Sequence, residues 1–203
     1  MSNRTTTKKL LLSLGAIGTA AAIAGLGTFA TFTSTTSASQ DVDSGLVQIE
    51  LGADGTANRL SVDAVNIVPG DTIQRAVDLI NSGDTDLSSI VLTTTADPSS
   101  LLDTDATHGL QMEIRDCSVA WTEAGSAPGY TYTCSGTESV VLASRAVIGS
   151  ELALANLGSL VAGVTDHLMV KLTFPVTAGN TFQNLASTID YEFFGTQRVA
   201  TDK

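Results

Sequence analysis

The sequence predicts an all-β protein, an antiparallel β-sandwich of jelly-roll type, and two patterns carry that expectation. Apolar and polar residues alternate in several short runs, the period-2 signature of strands with one buried face. Between the runs stand clusters of Gly, Pro, Asn and Asp, which turns need because they tolerate positive φ or preset a bend. Length sets the scale: of 203 residues, the about 165 to 172 left after an N-terminal leader suit one domain able to bury a real core.

The leader comes first. Arg4, Lys8 and Lys9 precede an apolar run over residues 10–26, the layout of a secretory signal peptide, expected as a helix. The run is at the short end of the about 17 to 25 residues that span a bilayer, and Gly15, Gly18, Thr19 and Gly25 dilute it; an uncut anchor is the alternative. Small residues suit peptidase subsites, so Ala30, Thr31 and Ala38 are candidate ends. The expected division is a signal peptide over residues 1–31, a Thr- and Ser-rich spacer over 32–43, and a single sandwich domain over 44–203.

In that body Val47, Ile49 and Leu51 alternate with Gln48 and Glu50, and Leu110, Met112 and Ile114 alternate with Gln111, Glu113 and Arg115. Leu168, Val170, Leu172 and Phe174 alternate with Met169, Lys171 and Thr173, and Ile189, Tyr191 and Phe193 with Asp190 and Glu192. Each run has the length of an ordinary strand. Asp54-Gly55, Pro69-Gly70-Asp71, Asn81-Ser82-Gly83-Asp84, Ala127-Pro128-Gly129 and Ala178-Gly179-Asn180 punctuate them. Leu152, Leu154, Leu157 and Leu160 fit neither period, so residues 151–161 are expected as a short helix or an irregular crossing.

Charge narrows the partners. The chain carries 10 Lys plus Arg against 21 Asp plus Glu, a net charge of −11, and loss of Arg4, Lys8 and Lys9 with the leader takes it to −14. Such a surface repels nucleic acid and anionic lipid, so no nucleic acid partner is expected, and membrane contact only through an uncut leader. Cys117 and Cys134 both lie in the exported part, where an oxidising exterior lets a disulfide persist, and their separation would give a bridge worth about 3 kcal/mol. Its expected task is to staple a hairpin.

Signals for chemistry are sparse. No His-Glu-x-x-His occurs, and the two histidines, His108 and His167, fall short of the three protein ligands of a catalytic zinc unless the fold joins them with an Asp. No Gly-x-Ser-x-Gly elbow occurs either. Asp103-Thr104-Asp105-Ala106-Thr107 starts like an EF-hand loop, but His108 stands where the Gly is required and Ile114 where the bidentate Glu is required. No catalytic residue, metal or cofactor is therefore expected. Trp121, Tyr130 and Tyr132 offer either a partner platform or core packing.

Other stretches match in order rather than in chemistry. Lys8-Lys9-Leu10-Leu11-Leu12-Ser13-Leu14-Gly15, the junction Gly27-Thr28-Phe29-Ala30-Thr31-Phe32 and Ser44-Gly45-Leu46-Val47-Gln48-Ile49 come first. Asn66-Ile67-Val68-Pro69-Gly70-Asp71-Thr72-Ile73, Asn81-Ser82-Gly83 and Tyr191-Glu192-Phe193-Phe194-Gly195-Thr196-Gln197-Arg198 follow. Together they resemble the TasA and camelysin (CalY) family, secreted proteins of Gram-positive bacteria whose leader is handled by a dedicated signal peptidase. The resemblance implies a cut between Thr31 and Phe32, a signal peptidase as partner and an extracellular or cell-surface location. It also implies either a fibre subunit of biofilm-matrix type or, from the family's other label, a secreted metalloendopeptidase. A monomeric binding module is a third reading.

The freed spacer supplies a route to fibres. Its β-branched makeup lets residues 32–42 pair as a strand with an open sheet edge on the next copy, with Phe32 and Val42 as anchors, or remain a disordered spacer. Such head-to-tail contacts do not close, so they grow homopolymers.

Overall fold

Ten strands among the described residues follow from the alternation: β1 (Ile49–Leu51), β2 (Thr72–Asn81), β3 (Leu87–Ala96), β4 (Gln111–Cys117), β5 (Thr122–Ala124), β6 (Thr131–Thr133), β7 (Glu138–Ala146), β8 (Gly149–Ala153), β9 (Thr165–Thr173) and β10 (Ile189–Gln197). The structure is a computed structural model that describes residues 46–60 and 66–200. The expected signal helix, the Thr31–Phe32 cut and the segment bearing Phe32 and Val42 lie outside the described residues.

Two antiparallel sheets pack as a sandwich. The first has the order β1-β2-β9-β4-β7 and the second β10-β3-β8, while β5 and β6 pair with each other alone. The chain changes sheet from β2 to β3, β3 to β4, β7 to β8, β8 to β9 and β9 to β10, the wrapping of a jelly roll. Every named pairing is antiparallel.

Period-2 alternation puts one face of each central strand inside. Val77 and Leu79 of β2, Ile90 and Leu92 of β3, Met112 and Ile114 of β4, and Leu168 and Val170 of β9 are all buried in one continuous core. Thr94 is the polar member of that interior; its hydroxyl donates to Val147 O at 2.6 Å and accepts from Gly149 N at 2.9 Å. Its burial therefore leaves no orphaned polar group.

One local expectation meets a different outcome, and a second resolves to one of its two alternatives. Of Val47, Ile49 and Leu51, only Ile49 packs on the core, because β1 is a short strand at a sheet edge with no strand beyond it among the described residues. Among the described residues the one α-helix is α1, Leu101–Thr104. Residues 151–153 instead finish β8, and the chain then crosses irregularly, burying Leu157 and turning at Asn156 with φ 57°.

Candidate functional site

The two histidines are held at opposite ends of the first sheet. His167 lies across from Cys117 at the end of β4, whereas His108 precedes its start. The six residue steps of β4 from Gln111 to Cys117 alone span about 20 Å. His167 Nδ1 is hydrogen-bonded to Asp78 Oδ1 at 2.7 Å, and His108 Nδ1 faces Asp105 Oδ2 at 3.5 Å. Among the described residues no three His, Cys, Asp or Glu are grouped to hold a metal ion. The donors among the described residues therefore do not fit a catalytic zinc, which needs three protein ligands around one point.

The acidic loop after β3 has a different task from the cation loop its start suggests. Ser100 caps α1 by accepting from Leu102 N at 3.1 Å, and Asp103 closes the capping box by accepting from Ser100 N at 2.6 Å. Asp103 also accepts from Ser99 at 2.7 Å and from Ser187 at 2.6 Å, which ties α1 to the segment entering β10. Asp105 turns back to its own chain, accepting from Thr107 N and His108 N at 2.9 Å each. The Ser-x-x-Asp spacing was a readable capping signal.

The cysteines are bonded to each other, with Cα atoms 5.8 Å apart. The bridge joins the end of β4 to the residue after β6 and encloses the β5–β6 hairpin. This hairpin forms a small second core with the outward side chains of the first sheet: Tyr132, Ala76 and Met169 are buried together, with Trp121 and Tyr130 packed against them. Trp121 Nε1 donates to His167 O at 2.7 Å, and Tyr132 N donates to Gln74 Oε1 at 3.0 Å. The aromatic trio is thus packing.

A charged fork fixes the hairpin from the side. Arg59 donates through Nε and Nη2 to the two oxygens of Glu123, both at 2.9 Å, and Tyr132 Oη donates to Glu123 Oε2 at 2.9 Å. The Arg59 hydrogen bond holds the Glu123 carboxyl below its ordinary range, while burial and then the bond to Glu123 push the Tyr132 phenol up to about 12. The Tyr130 ring lies under the Arg59 guanidinium at 4.9 Å and the Arg75 guanidinium at 5.7 Å. Sequence separation hid this cluster: Arg59 and Glu123 are 64 residues apart.

Asp116, on the inner side of β4, is the opposite case. Its Oδ1 is buried without a hydrogen-bond partner. Burial and the nearby Asp166 carboxylate raise its pKa, and the His167 backbone amide, the His167 side chain and the Cys117 amide only partly offset this. A raised native pKa means that the folded state holds the proton more tightly than the unfolded state. Stability therefore falls as pH rises from about 4, the unfolded value, through the native value, and the penalty persists above it. Asp116→Asn, which removes the partly buried charge facing Asp166 and keeps the side-chain shape, is expected to stabilise the protein at pH 7 by about 1 kcal/mol. Urea titrations at pH 7 and pH 3.5 check it: the gain should vanish at the lower pH.

Of the four edges of the two sandwich sheets among the described residues, three are covered or blunted. Beside β2, past the short β1, Gly52 N donates to Asp78 O and Arg59 N to Ala76 O, each at 2.9 Å. Beside β7, Ala155 N donates to Val141 O and Asn156 Nδ2 to Val140 O, each at 3.0 Å. β8 is five residues long, slips register against β3 and contains Glu151 at φ 50°. β10 differs: of its nine residues eight, Ile189 to Thr196, pair with β3 in unbroken register, and among the described residues no strand is hydrogen-bonded to its other side, although β1 approaches it where Ile49 Cγ2 lies 3.3 Å from the place a Cβ would take on Gly195. Ile189, Tyr191 and Phe193 point to the core yet are only half-buried, and outward Phe194 is 64 % exposed. A long, regular edge of this kind is a template for another strand.

These features define an acidic, disulfide-stapled β-sandwich with one sheet edge left without a hydrogen-bonded neighbour among the described residues, and the disulfide is consistent with an oxidising exterior. The family described as camelysin metallo-endopeptidase matches residues 6–202, and the chain belongs to that family, the one that includes TasA and CalY. Its members are secreted proteins, which agrees with the disulfide. No curated protein matches the chain.

Proposed function

We propose that this chain is a secreted structural protein, a subunit that polymerises head to tail into extracellular or cell-surface fibres of biofilm-matrix type. The observation that carries the reading is the open edge of β10, the strand bearing half-buried Ile189, Tyr191 and Phe193, to which no further strand is hydrogen-bonded among the described residues. Residues 32–43, freed when a signal peptidase cuts after Thr31, supply that strand to the next copy, with Phe32 and Val42 as its apolar anchors. Main-chain hydrogen bonds give the affinity and the anchors set the register.

The family's description favours a second reading, a metalloendopeptidase. The separation of His108 from His167 and the bonding of Cys117 to Cys134 speak against it, since they leave no convergent donor set among the described residues. One preparation of the secreted protein tests both. Electron microscopy and size-exclusion chromatography are expected to show polymers growing with concentration and time. Protein lacking residues 32–43 is expected to stay monomeric. Equal assembly of the two forms would refute strand lending, and zinc-dependent casein cleavage lost in His167→Ala would establish the peptidase.

A further inference from the structure

The inward face of the first sheet turns from apolar to acidic where β4 ends and β9 begins. Asp116 of β4 stands opposite Leu168 of β9, and the next inward residue of β9 on the diagonal is Asp166. Diagonal positions of this kind lie about 7 to 8 Å apart, close enough for two carboxylates to face a common point. The crossing from β8 to β9 closes over them: Gly158 N and Ser159 N donate to Asp166 Oδ1 and Oδ2 at 2.7 and 2.9 Å. Ser159 is 0 % exposed and Asp166 5 %.

Among the described residues two buried side-chain atoms have no hydrogen-bond partner, Asp116 Oδ1 and Ser159 Oγ. Both belong to this one cluster, on residues that flank the same carboxylate. Buried polar atoms are paired in the great majority of cases, so two orphans around one buried charge mark a place that a non-protein group completes. Charge decides its sign. Neither Asp116 nor Asp166 forms an ion pair with Lys or Arg among the described residues. Asp116 instead feels the like charge of Asp166, which His167 offsets only in part.

We propose that Asp116, Asp166 and Ser159 bind a calcium ion between β4, β9 and the crossing. Carboxylate and hydroxyl oxygens are hard donors and suit a hard cation, whereas the one nearby imidazole, that of His167, is taken up by Asp78. Donors drawn from two strands and an irregular crossing form an uneven set, which calcium accepts and the strict octahedron of magnesium does not. No EF-hand loop takes part, because strand pairing rather than local sequence brings these oxygens together. The site is distinct from the zinc chemistry in the family's description and independent of the fibre reading. A two-carboxylate site in an exported domain belongs with extracellular calcium modules, whose Kd is about 10⁻⁴ to 10⁻³ M.

The cation reverses the effect of Asp116→Asn. In chelator that variant is the more stable protein, since it lacks the facing charge; with calcium bound the unsubstituted protein overtakes it. Thermal denaturation of the secreted protein in chelator and in about 10 mM calcium chloride, with ionic strength matched by sodium chloride, reads this directly. The unsubstituted protein is expected to gain several degrees in Tm and Asp116→Asn almost none. Isothermal titration with calcium chloride is expected to find one site, weakened about tenfold in Asp116→Asn, which loses a ligand charge, and by less in Ser159→Ala. Glu192→Gln, at an exposed carboxylate of β10, is expected to bind as the unsubstituted protein does. A Tm indifferent to calcium, or an equal gain in Asp116→Asn, would overturn the proposal. An equal gain from magnesium chloride would overturn it as well, by showing general attraction of cations to an acidic surface.

Discussion

Replacing Gly83 with alanine is expected to unseat residues 46–48 from the turn between β2 and β3 and to reduce filament yield sharply. A Cβ at this position would lie 2.9 Å from Gln48 N, 3.2 Å from Asn81 Oδ1 and closer still to Leu46 O. The two nearest of these atoms are backbone, fixed by the Gly83 N to Gln48 O and Asp84 N to Leu46 O hydrogen bonds. No rotamer change relieves the contact, so the segment must move. Forced overpacking of this kind costs about 1 to 3 kcal/mol. Thermal denaturation should register that loss, and limited proteolysis should find new cleavage near residues 46–60. An unchanged melting temperature would mean that the segment is not latched at this turn.

The second large effect concerns the hairpin. Changing Cys117 and Cys134 together to serine removes a bridge spanning 17 residues, and for a loop of that size the loss is about 3 kcal/mol. The damage should be local. Trp121 still reaches His167 O, Tyr132 N still reaches Gln74, and Glu123 still holds Arg59 and Tyr132. The expected result is a lower urea midpoint and faster proteolysis within residues 118–137, with filament yield preserved because β10 belongs to the other sheet. Loss of filaments at unchanged expression would show that the hairpin takes part in assembly.

Much of the architecture was legible because the strands advertise themselves. In Met112 and Ile114, or Leu168 and Val170, the alternation maps residue by residue onto buried positions. The bridge was legible for a simpler reason, since two cysteines in an exported chain have one possible intramolecular partner each. Where the alternation breaks off, a local interaction takes over. Asp103, in a stretch that starts like an EF-hand loop without completing one, caps a single helical turn, and the Leu-rich stretch after Leu152 has no period because it serves as a crossing. The candidate site was least legible. Strand pairing brings Arg59 to Glu123 and Ser100 to Ser187 across 64 and 87 residues, and an open edge is a property of sheet order, which no local pattern encodes.

The hairpin's private closure has a practical corollary. Its turn, residues 125–129, is exposed and is bounded by its own disulfide on a sheet other than the one containing β10. Peptide sequences spliced into that turn would hang from the flank of each subunit without touching the growing edge. A polymer of this protein could thus be decorated at every repeat, a scaffold whose display position is already insulated from its joints.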